Sequence, residues 1–109
     1  MSEQHKSIAQ CLRDGEFVLA PGIFDLISAR MADSMGFKAI YMTGYGIAAS
    51  HLGQPDAGYA TYTDMVGRAS QVVSRTTTPL IADADTGFGG PLNVQHTIRG
   101  YERAGVQAI

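Results

Sequence analysis

Short apolar runs alternate along this chain with longer stretches in which apolar positions recur every three or four residues. Residues 2–13, SEQHKSIAQCLR, space Ile8, Cys11 and Leu12 in this way among polar neighbours, which predicts an amphipathic helix closed by Asp14-Gly15. EFVLAPG, residues 16–22, is an apolar run ended by Pro21-Gly22 and reads as a buried strand. FDLISARMADSMGF, residues 24–37, puts Leu26, Ile27, Arg30, Met31 and Met35 at helical spacing, with Asp25 as cap and Gly36 as stop.

The alternation then repeats. KAIYMTG, residues 38–44, reads as a second strand, and a Gly-rich loop from Gly44 to Tyr62 leads to Thr63, placed to cap the helix DMVGRASQVVSR. TPLIADAD is a third strand, PLNVQHTIRGYERAG a helix with Pro91 in its first turn, and VQAI the opening of a fourth strand. Strands separated by helices pair in parallel, because each helix must carry the chain back before the next strand begins. Two architectures satisfy this pattern, an open doubly wound sheet and a closed eight-stranded barrel, and periodicity alone does not choose between them. No linker or low-complexity run divides residues 1–109, which read as one domain or a piece of one.

Composition narrows the ligand rather than the fold. Of 109 residues, 45% are hydrophobic and 17% charged, with a formal net charge of -2. That balance offers no surface for neutralising phosphates, so neither nucleic acid nor an anionic membrane is an expected partner, and a small molecule is. Cys11 is the single cysteine, which excludes an internal disulfide and a cysteine-based metal site and fits a reducing cytoplasm. No segment reaches the roughly 18 consecutive apolar residues of a membrane span, and no leader-like run opens the chain.

The third strand carries the chemistry. If residues 80–85 are extended, Ile81, Asp83 and Asp85 share one face and Leu80, Ala82 and Ala84 the other. Two carboxylates near the C-terminal end of a parallel strand stand where α/β folds place their active sites, and they repel unless a proton or a cation lies between them. Oxygen ligands of this kind suit Mg2+ or Mn2+. The same residues also satisfy a plain strand-to-helix turn, with Asp85 capping and TGFGG giving the backbone room. At the second strand, Tyr41 and Thr43 share a face, and the N–H groups of Gly44 and Tyr45 can hold a carboxylate or phosphate, or merely form a glycine turn. TGYG is neither a dinucleotide-binding fingerprint nor a P-loop. Asp56, in LGQPDAG, stands in a loop where carboxylates are mostly solvated. His5, His51 and His96 lack paired ligand spacing, Cys11 reads as a small core residue, and Ser50 lacks a nucleophile setting.

Three stretches taken in order, PGIFDLISARMADSMGFKAIYMTGYGIAAS, LGQPDAG and IADADTGFGGPLNVQHTIRGYERAG, resemble the isocitrate lyase and phosphoenolpyruvate mutase superfamily. The shorter members are the nearest in pattern: the 2-methylisocitrate, dimethylmalate and oxaloacetate-cleaving enzymes and those of phosphonopyruvate type. The resemblance covers most of the chain from Phe17 onward. It implies a magnesium-dependent (β/α)8 TIM barrel, of which this chain supplies the first four βα units and hence the N-terminal half of one catalytic domain. It also implies a homotetramer with an exchanged C-terminal helix.

By the same resemblance, Asp83 is the direct metal ligand and also meets the substrate, while Asp85 reaches the metal through water. Asp56 lies beside metal and substrate as a catalytic residue, and Thr43, Gly44 and Tyr45 hold the substrate carboxylate with Tyr41 nearby. The implied activity is carbon-carbon cleavage of a small 2-hydroxy or 2-oxo carboxylate through an enolate. The alternatives are phosphonate-forming or phosphonate-cleaving chemistry and, from another class, a non-catalytic half-barrel used in assembly. Two departures bear on this. The family's later cysteine loop and an acidic residue after the fourth strand lie beyond Ile109, so the chain alone is expected to be inactive. Tyr45 stands where methylisocitrate lyases commonly have glycine, which leans toward other branches.

Overall fold

In a computed structural model, which describes residues 5–109, the predicted alternation of elements is present with shorter strands and one additional helical segment. Helix α1 spans Ile8–Arg13, and the Ser7 hydroxyl accepts the Gln10 N–H at 3.1 Å as its cap; residues 2–4 of the predicted helix lie outside the described residues. Cys11 is buried, as a small core residue would be.

The first strand is the largest departure from expectation. Strand β1 is Gly22–Ile23 alone, not residues 16–22. Its partner β2 covers only Ile40–Met42, with Gly22 opposite Tyr41 and Ile23 opposite Met42, so residues before Pro21 have no strand alongside. Lys38 ties that stretch down differently, donating to the Phe17 carbonyl at 3.1 Å and pairing with Glu16 at 3.0 Å. Phe17 and Leu19 are exposed in consequence.

Helix α2, Leu26–Asp33, begins at Asp25 as predicted: the carboxylate accepts the Ser28 N–H at 2.7 Å and the Ser28 hydroxyl accepts the Asp25 N–H at 3.2 Å. It ends at Ser34, before Gly36. Ala29 and Ala32 form its buried face, and their small side chains let the helix lie close to the sheet, while Ile27, Met31 and Met35 point to solvent.

The predicted loop from Gly44 is partly helical. Residues Gly44–Ile47 form α3, and Ala48–Leu52 continue as a single π-helical turn ended by Gly53. Only residues 53–61 are irregular. Helix α4, Tyr62–Arg75, is capped by Thr61 and not Thr63: the Thr61 hydroxyl accepts the Asp64 N–H at 3.2 Å and the Asp64 carboxylate accepts the Thr61 N–H at 3.0 Å. A reciprocal pair three residues apart satisfies two helix-start groups at once, which Thr63 has no acidic partner to match. Strand β3 is Leu80–Ala82, and α5 is Pro91–Ala104 with Pro91 at its first position as expected.

The sheet order is β1-β2-β3, all parallel, and Ala108 adds a parallel bridge to Ile81 on the far side of β3. Each strand therefore lies beside its neighbours in sequence. Buried Ile40, Met42, Leu80, Ala82 and Ala84 pack as one cluster with Ala29 and Ala32 of α2, Met65, Ala69 and Val72 of α4, and Tyr101 of α5. Helices on one face and consecutive strand order are the arrangement of a barrel wall, whereas a doubly wound sheet reverses its order and carries helices on both faces.

Candidate functional site

Burial alternates along β3 and just beyond it, with Leu80, Ala82 and Ala84 buried under the helices and Ile81 and Asp83 half-buried on the opposite face. The extended backbone expected to reach Asp85 ends earlier, however, and Asp85 stands exposed in a left-handed turn. Tyr41 and Thr43 are likewise half-buried on either side of fully buried Met42, so they share the face of Asp83. The ladder continues past the named strands, with the Asp83 N–H donating to the Met42 carbonyl at 3.1 Å. The C-terminal ends of β2 and β3 thus lie side by side.

Asp83 is the best anchored of the acidic residues at these strand ends. Its Oδ2 accepts the Gly44 N–H at 3.2 Å and its Oδ1 accepts the Asp85 N–H at 2.9 Å. A Cβ on residue 44 would fall 2.6 Å from Asp83 Oδ2, so only glycine lets the start of α3 come this close. From the other side, the Tyr101 hydroxyl of α5 donates to the Asp83 carbonyl at 2.9 Å. Asp85 follows at φ 46°, a left-handed conformation, and Phe88 at φ 63° repeats it within the same turn.

Charge accumulates at this rim. Desolvation comes first in raising the Asp85 carboxyl above its ordinary range, and the negative charges of Asp83 and Asp56 add to it. The Tyr41 phenol is also pushed up, first by its partial burial and then by Asp83, Asp85 and Asp56. Tyr101 is driven up further still, by burial above all, and remains a phenol with its proton. The charge of the exposed loop residue Asp56 adds in the same direction to both Tyr41 and Asp85. Thr43 precedes α3 without spending its hydroxyl on the cap, and Tyr45 beside it is 67% exposed.

The donor set is one that a hard cation takes. It consists of oxygens, and it holds two carboxylates of which one raises the pKa of the other. Among the described residues no group of three or more His, Cys, Asp or Glu forms a ready cage. Coordination by Asp83 and Asp85 would therefore be completed by water or ligand oxygens, as is usual for Mg2+.

Sequence reasoning missed Tyr101 and Thr97. Both lie buried on α5, and the Thr97 hydroxyl donates to the Gly87 carbonyl at 2.8 Å. The available signal was a pair of hydroxyl residues four apart on a helix following an acidic strand end. The histidines stand outside the rim chemistry: His96 packs on the Tyr62 ring with centroids 4.7 Å apart, and His51 lies 3.4 Å from the Asp64 carboxylate.

This geometry has counterparts among known proteins. The chain is 52% identical over 100 residues to 2,3-dimethylmalate lyase of Eubacterium barkeri, covering 92% of this chain and 35% of that one. It superposes on crystalline oxaloacetate acetylhydrolase with TM-score 0.85 and 43% identity, over 91% of this chain and 36% of the other. A phosphonopyruvate hydrolase crystallised with oxalate and Mg2+ matches with TM-score 0.83 and 31% identity, over 93% of this chain and 37% of that one. The chain spans about a third of the length of these relatives, which are TIM-barrel enzymes, and its parallel sheet with helices forms part of that barrel. Residues 8–109 match the family of phosphoenolpyruvate phosphomutase, and the chain belongs to that family, which includes the isocitrate lyase group.

Proposed function

We propose that the protein takes part in magnesium-dependent cleavage of a carbon-carbon bond in a small 2-hydroxy or 2-oxo carboxylate. The observation that carries this reading is the Asp83 carboxylate, fixed by the amides of Gly44 and Asp85 at the strand ends, with Tyr41 on the same face. The lyase branch is favoured because 2,3-dimethylmalate lyase is 52% identical to this chain, against 44% for the carboxyvinyl-carboxyphosphonate phosphorylmutase of Arabidopsis thaliana. The phosphonate reading is the alternative, and analysis of products for phosphate or phosphonate against oxo acid separates the two.

Asp83 and Asp85 would hold the cation, whose bound charge would stabilise an enolate where it develops. Asp83 needs no rearrangement for this role, since its carboxylate is already oriented by two N–H donors. Thr43 offers an unspent hydroxyl, and the Tyr45 amide stands near it, a pair suited to a substrate carboxylate, while the Gly44 amide is engaged by Asp83. Tyr41, kept protonated, is a hydrogen-bond donor on the same face. Asp56 approaches from its loop with a carboxylate able to orient substrate or exchange a proton. For a hydroxy acid, a base removes the hydroxyl proton, the carbon-carbon bond breaks to give an oxo acid, and the enolate is protonated. The working form is proposed to be a cytoplasmic homotetramer; among the described residues no helix is long and apolar enough to cross a membrane.

The test is a calorimetric titration of Mg2+ or Mn2+ with oxalate, on the protein and on Asp83→Asn. Binding by the native protein that weakens at least about tenfold in the variant, about 1.4 kcal/mol, is the expected result. Equal binding by both, or none by either, would remove the metal reading.

A further inference from the structure

Thr97 and Tyr101 stand four residues apart on α5, so they share one face of the helix. Thr97 is 2% exposed and Tyr101 fully buried. Each donates its hydroxyl to a backbone carbonyl at one end of the turn after β3: Tyr101 to Asp83 at 2.9 Å and Thr97 to Gly87 at 2.8 Å. The Tyr101 ring packs against Tyr62, with centroids 6.4 Å apart.

The placement of the Tyr101 bond is informative. Asp83 already has its N–H paired to Met42 and both carboxylate oxygens paired to amides. What remains free in such a residue is rotation of the following peptide plane. That plane carries the Asp83 carbonyl, and its rotation moves the Asp85 amide that one carboxylate oxygen uses. A hydroxyl on the carbonyl stops this rotation, whereas a phenylalanine of nearly the same volume would fill the space and leave the carbonyl without its donor.

We propose that Tyr101 is a positioning residue for Asp83: from beneath the sheet it fixes the peptide plane that sets the direction of the rim carboxylate. The inference rests on the reading of Asp83 as the carboxylate that meets cation and substrate. Its physical content, however, is visible without either.

The experiment compares the full chain with Tyr101→Phe and with Val72→Ala. The second is a core variant that loosens the same hydrophobic cluster and has no bond to the turn. Amide hydrogen exchange is followed at Gly44 and Asp85, with Ile40 in β2 as reference, and Mn2+ affinity is measured in parallel. Tyr101→Phe is expected to raise exchange at Gly44 and Asp85 by about five- to tenfold over the change at Ile40, the loss of one hydrogen bond. Mn2+ affinity should fall severalfold in Tyr101→Phe but hold in Val72→Ala. Uniform acceleration at all three amides, as a merely loosened core gives, would overturn the proposal, as would no change at Gly44 and Asp85. A selective exchange effect in a protein that binds no Mn2+ would sustain the positioning role and remove the metal reading instead.

Discussion

The N–H of Gly44 donates to the carboxylate of Asp83, 39 residues later, at 3.2 Å, and joins the end of the second strand to the end of the third. The contact exists because residue 44 has no side chain.

Gly44→Ala should therefore displace the Asp83 carboxylate. Its φ is not left-handed, so the backbone tolerates alanine and the damage is confined to the overlap of the new Cβ, 2.6 Å from Asp83 Oδ2. The cost of such overpacking is about 1–3 kcal/mol. Mn2+ affinity, measured by calorimetry, is expected to fall about tenfold or more while far-ultraviolet circular dichroism stays native.

Gly100→Ala tests the packing behind the rim. Alanine ordinarily favours a helix over glycine by roughly 1 kcal/mol, yet here its Cβ would lie 1.8 Å from the Tyr62 hydroxyl oxygen and 2.8 Å from the ring carbon bearing it. Net destabilisation of about 1–3 kcal/mol is expected in urea unfolding. Adding Tyr62→Phe, which deletes the obstructing oxygen, should recover a large part of it; purely additive losses would refute the steric account.

Thr61 and Thr63 make opposite predictions for one helix start. Thr61→Ala removes the cap of α4 and should lower stability by about 1 kcal/mol. Thr63→Ala should change little, since the cap hydrogen bonds are those of Thr61 and Asp64. Thermal midpoints of the two variants decide the register directly.

Asp33 predicts a pH dependence. Partial burial pushes its pKa up, but the hydroxyl and N–H of Thr78 and the N–H of Thr77, at 2.6, 2.9 and 3.0 Å, outweigh it and the net shift is downward. A carboxyl lowered in the folded state stabilises in full above its unfolded pKa, about 3.9, and loses that contribution as pH falls through the folded value. Asp33→Asn should cost about 1–2 kcal/mol at pH 7 after allowance for solvent screening. The gap between variant and native protein in urea unfolding should narrow below about pH 4.

Those features of the fold that depend on side-chain period were legible in the sequence. The faces of the third strand as far as Ala84, the Asp25 cap and Pro91 at the start of α5 all follow from local pattern, and the structure reproduces them, whereas the turn that takes Asp85 off the strand was not foreseen. Features that depend on partners were not. Apolar content alone marked residues 16–22 as a strand, but a strand needs a neighbour, and β2 is too short to provide one there. The Gly44–Leu52 segment is rich in glycine and small residues, a composition of loops, yet it forms helical turns, with Ile47 and Ala48 fully or nearly fully buried. Ile27 and Met31 of α2, with Met35 just past its end, have the right spacing for a core face, but the sheet takes the alanines. Asp83 and Asp85 were visible as a pair, whereas Tyr101 acts through a carbonyl, and no sequence pattern records which carbonyl a buried hydroxyl will find.

The left-handed backbone at Asp85 bears on how this turn could be re-engineered. Outside glycine, aspartate and asparagine are the residues that enter that conformation most readily, so conformation narrows the usable alphabet at position 85 before chemistry is consulted. Within that short alphabet only one letter carries a charge. A designer grafting the turn onto another barrel would thus have asparagine as the neutral control that leaves the backbone at ease. Alanine or valine would change the shape of the turn and the charge of the rim together.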